Sequence, residues 1–174
     1  ILTRGGSIFP AYYHSCCGGR TERASNVWPG ENGPPVTSDE WCARSPKLLW
    51  SYTIPAKKLS EELSKSGARI GIPRSIATSA LPDSPRNEML LIEDEEGLKT
   101  VLATTARKAL GYANLKSTWF EVEMRGGNVV FTGRGYGHGV GLCQWGAKAM
   151  AEAGHSYRDI LKFYYPDSEL VTLY

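Results

Sequence analysis

Hydrophobic and polar residues alternate along several short stretches of the chain, and this period of two predicts β-strands. Gly5-Gly6 and Gly126-Gly127 each separate two such stretches, which predicts two hairpins. A strand is expected over each of the alternating segments, which are residues 7–15, 50–55, 68–73, 89–94, 119–124, 128–133 and 168–174.

Four short helices are expected between these strands. The first is expected to begin after Pro55 and end at Gly67, and the second to be capped by Thr105 and end before Gly111. The third is expected to end at Gly154, and the fourth to begin at a Ser156-x-x-Asp159 capping box and end before Pro166. The helices are predicted over roughly residues 56–66, 106–110, 140–153 and 157–164. Strands and helices do not alternate regularly, so a doubly wound parallel sheet is excluded. We expect residues 1–174 to form one strand-rich α+β domain with a few short helices.

Two features of the layout bear on function. Residues 24–47 are rich in proline and turn residues, and a long irregular stretch in a compact domain often lines a groove. The chain begins at Ile1, within the first arm of a predicted hairpin. We therefore expect the domain to be incomplete at its N-terminus.

Composition excludes several classes of protein. The chain has 174 residues, of which 41% are hydrophobic and 22% charged, as in ordinary globular domains and unlike disordered or coiled-coil chains. The net charge is only +2 and the basic residues are scattered, so nucleic acid is not an expected partner. No apolar run approaches the roughly 20 residues of a membrane helix, so no membrane span is expected in this chain.

Residues able to carry chemistry concentrate in two clusters. Residues 12–22 combine His14, two thiols, hydroxyls and Glu22. In residues 133–146, glycines at every second position surround His138. A backbone without side chains can lie directly against a ligand or another strand. Because a core histidine does not need flanking glycines, we expect a functional role for His138, whereas His155 is expected at the surface.

The cysteines and histidines leave several chemistries open. Zinc is one, because the chain offers suitable ligand types in His14, Cys17, Cys42, His138 and Cys143. Their spacing matches no C-x-x-C pair, so a site forms only if distant segments converge. Buried thiols or a Cys17–Cys42 disulfide are alternatives, and Cys16 is expected to be structural. A Cys–His nucleophilic pair, with Cys17 or Cys143 as nucleophile, is a weaker alternative.

Both clusters also resemble a known family. YYHSCCGGRTERASNVWPG, followed by WCARSPKLLWSYTI, resembles the middle of the SpoIID/LytB proteins (stage II sporulation protein D and the amidase enhancers). GRGYGHGVGLCQWGAKAM resembles the C-terminal signature of that family, and the segments between follow the same order. The resemblance covers nearly the whole chain, and its most specific elements are HS-x-x-GG-x-TE and GHGVG-x-x-Q-x-GA.

The resemblance implies peptidoglycan as the substrate. Sporulation members of the family are lytic transglycosylases that cleave the bond between N-acetylmuramic acid and N-acetylglucosamine in glycan strands without stem peptides. Other members bind and stimulate cell-wall amidases. The resemblance therefore implies glycan strands as partner, an amidase as a further candidate partner, and an extracytoplasmic location. A non-catalytic wall-binding or amidase-enhancer module remains the alternative to an enzyme.

The family's catalytic glutamate has no counterpart in this chain. It lies N-terminal to the HS-x-x-GG turn, in a Glu-Met step that a helix follows. The Glu-Met steps present here, Glu88-Met89 and Glu123-Met124, lie C-terminal to that turn in strand-like patterns. We therefore identify no catalytic residue within residues 1–174 and expect the acid on polypeptide upstream of Ile1.

The resemblance also implies a set of binding residues and a metal. It places six residues along a substrate groove: Tyr13, His14, Ser15, Glu22, His138 and Gln144. Some family members bind zinc near the HS-x-x-GG turn, where a structural role is expected because transglycosylation needs no activated water. Here Cys17 and Cys42 are the first candidate ligands or the first candidate disulfide pair. His14, His138 and Cys143 are additional candidate ligands.

Overall fold

The computed structural model describes residues 1–67 and 69–172, which form strands, four α-helices and two 3₁₀ helices. The α+β class predicted from the sequence is confirmed. None of the described helices is long and apolar enough to be a membrane span. The strands are β1 (Leu2–Arg4), β2 (Ser7–Ile8), β3 (Tyr13–His14), β4 (Leu49–Pro55), β5 (Ser75–Ala80), β6 (Asn87–Asp94), β7 (Gly97–Leu102), β8 (Phe120–Arg125), β9 (Asn128–Arg134), β10 (Leu142–Cys143) and β11 (Glu169–Leu170). The α-helices are α1 (Ala56–Ser64), α2 (Ala103–Leu110), α3 (Gln144–Glu152) and α4 (Tyr157–Tyr164), and the 3₁₀ helices are Ala24–Asn26 and Glu40–Arg44.

The chain divides into two compact units. The first unit joins residues 1–48 to the residues from 135 onward, and it contains both candidate clusters. Its strands form an antiparallel sheet in the order β11-β1-β2 and a parallel pair of β3 with β10. Its buried core includes the side chains of Cys16, Cys17, Cys42, Cys143, Met150, Tyr164 and Tyr165.

The second unit spans Leu49–Arg134. It contains two antiparallel three-stranded sheets, in the orders β4-β9-β8 and β5-β6-β7, together with α1 and α2. Leu59 and Leu63 of α1 are fully buried in its core beside Leu90 of β6 and Phe131 of β9. The two Glu-Met steps lie in β6 and β8 of this unit, so the expectation that they sit in strands is confirmed.

Glycine pairs predicted the hairpins correctly, whereas two strand predictions were too long and a third was wrong. β1 and β2 pair around Gly5-Gly6, and β8 and β9 pair around Gly126-Gly127. Residues 7–15 break into β2 and β3, because Pro10 between them has no N–H for a ladder. Within residues 168–172, the strand is limited to β11, and residues 173–174 lie outside the described range. No strand forms over residues 69–73, where the Gly71 N–H donates to the Asp94 carboxylate.

The helices follow their predicted positions with two corrections. α2 begins at Ala103, so Thr105 lies inside the helix and is not its cap. α3 begins at Gln144 rather than near residue 140, because Leu142 and Cys143 pair with β3 before the helix starts. α1 and the capping box of α4 are confirmed.

Replacing Ser156 by alanine should destabilise α4 and with it the first unit. The Ser156 hydroxyl oxygen accepts the Asp159 N–H, and the Asp159 carboxylate accepts the Ser156 N–H at 2.9 Å. We expect the free energy of unfolding to fall by about 1 kcal/mol, measured by urea unfolding. Ser156→Asp should retain most of the stability, and an equal loss in both variants would contradict a capping role.

Candidate functional site

The two sequence clusters fold against each other. β3 runs parallel to β10, which places His14 opposite Cys143. Cys16 and Tyr136 exchange both backbone hydrogen bonds, at 3.0 and 2.7 Å, and the Glu22 N–H donates to the Gly139 carbonyl at 2.9 Å. Segments more than a hundred residues apart in sequence are therefore joined along their backbones.

Glycine makes this close approach possible. A Cβ on Gly137, whose φ is +124°, would lie 2.7 Å from the Cβ of His14. A Cβ on Gly141, at φ +72°, would lie only 2.0 Å from the carbonyl oxygen of Tyr12. Both distances are shorter than van der Waals contact, so no other residue fits without displacing the backbone. The expectation that the bare backbone lies against another strand is confirmed.

The two imidazoles that these segments carry are neighbours. The ring centroids of His14 and His138 lie 5.6 Å apart, with His14 buried and His138 half-buried. The Val140 N–H donates to Nδ1 of His138 at 3.0 Å, so this nitrogen is an acceptor and the neutral ring carries its proton on Nε2. His14 Nδ1 lies 3.1 Å from the Val140 carbonyl and must donate to it, which leaves Nε2 of neutral His14 as an acceptor. One residue, Val140, thus gives the two histidines opposite tautomers.

Aromatic rings extend this histidine pair. The Trp28 ring lies 4.8 Å from the ring of His138 and stacks on Tyr12 at the same centroid distance, with 26° between the planes. The Tyr12 hydroxyl donates to Glu31 at 2.8 Å, and this hydrogen bond raises the pKa of Tyr12. Trp28 comes from the proline-rich stretch, so that stretch contributes to the site. Glu31 was not singled out by the sequence patterns.

Glu22 is buried beside these rings and holds the loop that carries Trp28. Its carboxylate accepts the Arg23 N–H at 2.7 Å and the Asn26 side-chain amide at 2.9 Å, which fixes the 3₁₀ helix Ala24–Asn26. Trp28 in turn donates its backbone N–H to the carbonyl of Ala24, the first residue of that helix. Glu22 therefore positions the site.

The remaining predicted binding residues lie where β3, β10 and α3 meet. Tyr13 is exposed and pairs with Leu142 in the parallel ladder. Gln144 is exposed at the first position of α3, and the Ser15 carbonyl accepts the Trp145 N–H at 3.1 Å. All six predicted residues thus lie on the two segments that converge, while their contacts with a substrate stay a prediction.

A second feature of the first unit is a buried thiol cluster. It consists of Cys17, Cys42, Cys143 and Asp39, whose candidate ligand atoms all lie within 4.8 Å of one another. The four come from the turn after β3, from the second 3₁₀ helix and its cap, and from the residue before α3. Sequence reasoning missed Asp39, although its position three residues before Cys42 is typical of a helix-capping residue.

Asp39 organises the cluster through both carboxylate oxygens. It accepts the Cys42 N–H at 3.3 Å, the Cys17 thiol at 3.2 Å and the Tyr164 hydroxyl at 2.9 Å. Burial raises the pKa of Asp39, and burial together with the nearby Asp39 charge raises the pKa of Tyr164. Hydrogen bonds from the thiols, that of Cys143 foremost, lower the pKa of Cys42.

The geometry of the cluster fits a metal ion. Bonds of about 2.3 Å from a tetrahedral zinc ion would separate two sulfurs by about 3.8 Å. The Sγ atoms of Cys17 and Cys42 lie 3.3 Å apart, so these two thiols would move apart slightly on binding. A disulfide would need about 2.05 Å, so the two residues are at hydrogen-bonding distance and not bonded. The described group does not contain the imidazoles of His14 and His138, whose part as ligands stays a prediction.

Comparison with known proteins finds relatives that align with nearly the whole chain. No protein-family model matches the chain. Stage II sporulation protein D of Bacillus subtilis is 30% identical over 98% of the chain, and the amidase enhancer of the same organism is 28% identical over 99%. The chain is a homologue of the SpoIID/LytB proteins. An uncharacterized protein of Brachyspira hyodysenteriae is likewise 30% identical over 98% of the chain.

These SpoIID/LytB homologues are longer than the present chain. The chain covers 47% of the sporulation protein, 31% of the amidase enhancer and 45% of the Brachyspira protein. It therefore spans less than half the length of each of these relatives.

Proposed function

We propose that this chain binds the glycan strands of peptidoglycan and acts outside the cytoplasmic membrane, where the cell wall lies. The observation that carries the proposal is the convergence of the two motifs, which places His14 beside His138 with Trp28 against the second ring. Homology to a sporulation protein and an amidase enhancer supports the cell wall as the setting.

The chemistry of the histidine site suits a sugar polymer. The neutral His138 ring is half-buried and carries its proton on Nε2, so a sugar hydroxyl or acetamido oxygen that reaches this ring meets a hydrogen-bond donor, whereas Nε2 of His14 is buried. The rings of Trp28 and Tyr12 add apolar surface beside these polar atoms. Such a mixture of aromatic rings and a few fixed polar groups is typical of small-molecule and saccharide sites.

Cleavage, in this proposal, needs a carboxylic acid from polypeptide outside residues 1–174. In a lytic transglycosylase, one acid protonates the leaving glycosidic oxygen and then, as a carboxylate, assists attack by the 6-hydroxyl of the same sugar. Glu22 is engaged by Arg23 and Asn26, and Glu31 accepts from Tyr12. Both carboxylates hold the site together, so the bond-cleaving role falls to the family glutamate upstream.

The thiol cluster, we propose further, holds a structural zinc ion. Three buried thiols and one carboxylate form a donor set that zinc prefers. Cys17, Cys42 and Cys143 would hold the ion with Asp39 as fourth donor. When bound, the ion supplies a cross-link among three segments and keeps the two converging motifs in register.

The second candidate function is a non-catalytic module that binds the wall or stimulates a cell-wall amidase. The named amidase enhancer that aligns with 99% of this chain favours it. Such a module would bind the amidase or the peptide-bearing wall in preference to stripped glycan.

Pull-down on purified sacculi separates the two functions. We expect the chain to bind sacculi stripped of stem peptides more tightly than intact sacculi, and to release no 1,6-anhydro products from either. His138→Gln should weaken binding to stripped glycan by about tenfold, the loss of about one hydrogen bond to a partly buried group. The exposed variant Lys57→Gln, in the second unit, serves as the control. Release of anhydro products by the pure chain would contradict the proposal that the catalytic acid lies outside residues 1–174. A preference for intact sacculi or for an amidase would support the alternative function.

A further inference from the structure

A groove of about 650 Å³ lies between the second 3₁₀ helix and α3, both in the first unit. This volume is within the range of sites that hold a drug-sized ligand or an oligosaccharide segment. The groove shares no residue with the predicted histidine site. It is lined by Glu40, Trp41, Ala43, Arg44, Ser45, Trp145, Lys148, Ala149, Glu152 and Ala153.

Two half-buried indole rings provide the apolar part of the groove, and each is held in place. The rings of Trp41 and His155 pack edge to face, with centroids 5.2 Å apart. The Lys148 ammonium lies 5.5 Å from the centroid of the Trp145 ring, a cation–π distance. Large aromatic surfaces fixed at the wall of an open groove are suited to stacking against the apolar face of a pyranose ring.

The groove carries two acidic and two basic side chains, so an anionic saccharide would be recognised through Arg44 and not through net charge. Lys148 is neutralised by an ion pair with Glu152 one helical turn away. Arg44 is exposed and makes no ion pair with any residue in the part of the chain that the structure describes. A guanidinium binds a carboxylate through two parallel hydrogen bonds, and the Glu40 carboxylate can accept from sugar hydroxyls.

Glycan without stem peptides carries the matching charge. Removing the peptide from a muramic acid residue leaves a free carboxylate on its lactyl ether, so every second sugar of a stripped strand is anionic. The groove also adjoins the histidine site along the chain, because the Trp145 N–H is bonded to the carbonyl of Ser15, the residue after His14.

We propose that this groove is a second saccharide site, in which Trp41 and Trp145 stack on sugar rings and Arg44 binds the carboxylate of a muramyl residue. The proposal rests on the proposed function, since it concerns the same stripped glycan. In this proposal the groove distinguishes peptide-free glycan from peptide-bearing glycan. Where a stem peptide is attached, the lactyl carboxylate of the muramyl residue is replaced by an amide, which Arg44 cannot bind as an ion pair.

Binding of two soluble probes tests the groove. One probe is a peptide-free glycan fragment with muramyl carboxylates, and the other is N-acetylglucosamine trimer, which is uncharged. We expect Arg44→Gln to weaken binding of the anionic fragment roughly fivefold, as for one partly exposed ion pair, and to leave the neutral trimer unchanged. Trp41→Leu should weaken both probes by about tenfold. Arg158→Gln, an exposed arginine of α4 outside the groove, is the matched control.

The outcomes distinguish this proposal from the proposed function. If stripped glycan binds and His138→Gln weakens it, while Arg44→Gln and Trp41→Leu do not, the groove is not a saccharide site but the glycan-binding function stands. A third probe, the same glycan fragment with its stem peptides attached, tests the alternative ligand: if Arg44→Gln weakens its binding more than that of the peptide-free fragment, the groove binds stem peptides and the proposal is wrong. If the wild-type chain binds neither probe, both proposals fail. Unchanged melting temperature and metal content in each variant exclude unfolding as the cause.

Discussion

Cys17→Ser is expected to abolish metal binding and to lower the free energy of unfolding by about 4 kcal/mol, a loss in the range seen when a structural metal is removed. Cys17, Cys42 and Cys143 lie in three segments that are distant in sequence, so a metal ion bound to them would add a direct link to the backbone hydrogen bonds and packing that already join these segments. A serine hydroxyl is a poor zinc ligand, and it would be buried beside Asp39, whose pKa burial already raises.

Cys16→Ser provides the matched control. Cys16 is adjacent to Cys17 and equally buried, at 0% exposure, and its thiol interacts with those of Cys42 and Cys143, yet it is not one of the four residues whose ligand atoms all lie within 4.8 Å of one another. We expect Cys16→Ser to retain one metal ion per chain and to lose only the stability that a buried hydroxyl costs, about 1–2 kcal/mol. Elemental analysis gives the metal content and its identity, and urea unfolding gives the stability. Equal metal loss in both variants would contradict this ligand set, and a metal-free wild-type chain would contradict the zinc proposal.

Local sequence signals predicted the parts of the fold that depend on local chemistry. Gly5-Gly6 and Gly126-Gly127 turn where two positive φ values are needed, and Ser156 with Asp159 satisfies the N–H groups at the start of α4. Each of these outcomes depends on residues within a few positions of one another. The glycine-rich segment around His138 likewise predicted a close backbone approach, because a backbone without side chains can lie directly against another strand.

Tertiary contacts decided what the sequence patterns did not predict. Leu142 and Cys143 look like the first turn of α3, but they pair with β3, a partner that is remote in the chain. β7 is hard to recognise because Leu98 and Leu102 are exposed and only Val101 is buried in it. Asp39 was not predicted as a candidate ligand because carboxylates that cap helices are common. Only the folded chain places it beside the thiols of Cys17, Cys42 and Cys143.

Gly141→Ala is expected to lower the free energy of unfolding by roughly 4 kcal/mol or more and to disrupt the histidine site. An alanine at φ +72° is strained by about 1–2 kcal/mol. Its Cβ would also lie 2.0 Å from the Tyr12 carbonyl oxygen, and overpacking of this severity adds further kilocalories. That carbonyl accepts the Leu142 N–H at 2.9 Å and the Tyr165 hydroxyl at 2.6 Å, so displacing it weakens two hydrogen bonds at once.

Gly154→Ala separates the two causes of this loss. Gly154 has a similar φ of +91°, but a Cβ there would meet no atom within 4 Å, so its alanine variant should show the conformational strain alone, about 1–2 kcal/mol. Urea unfolding of both variants gives the difference, and tryptophan fluorescence reports whether Trp28 still stacks on Tyr12. Because Tyr12 carries both the displaced carbonyl and the stacked ring, only Gly141→Ala should change the fluorescence and the binding of stripped glycan. Equal destabilisation by the two substitutions would mean that the two segments do not lie in contact at Gly141, and the histidine site would then lose its structural basis.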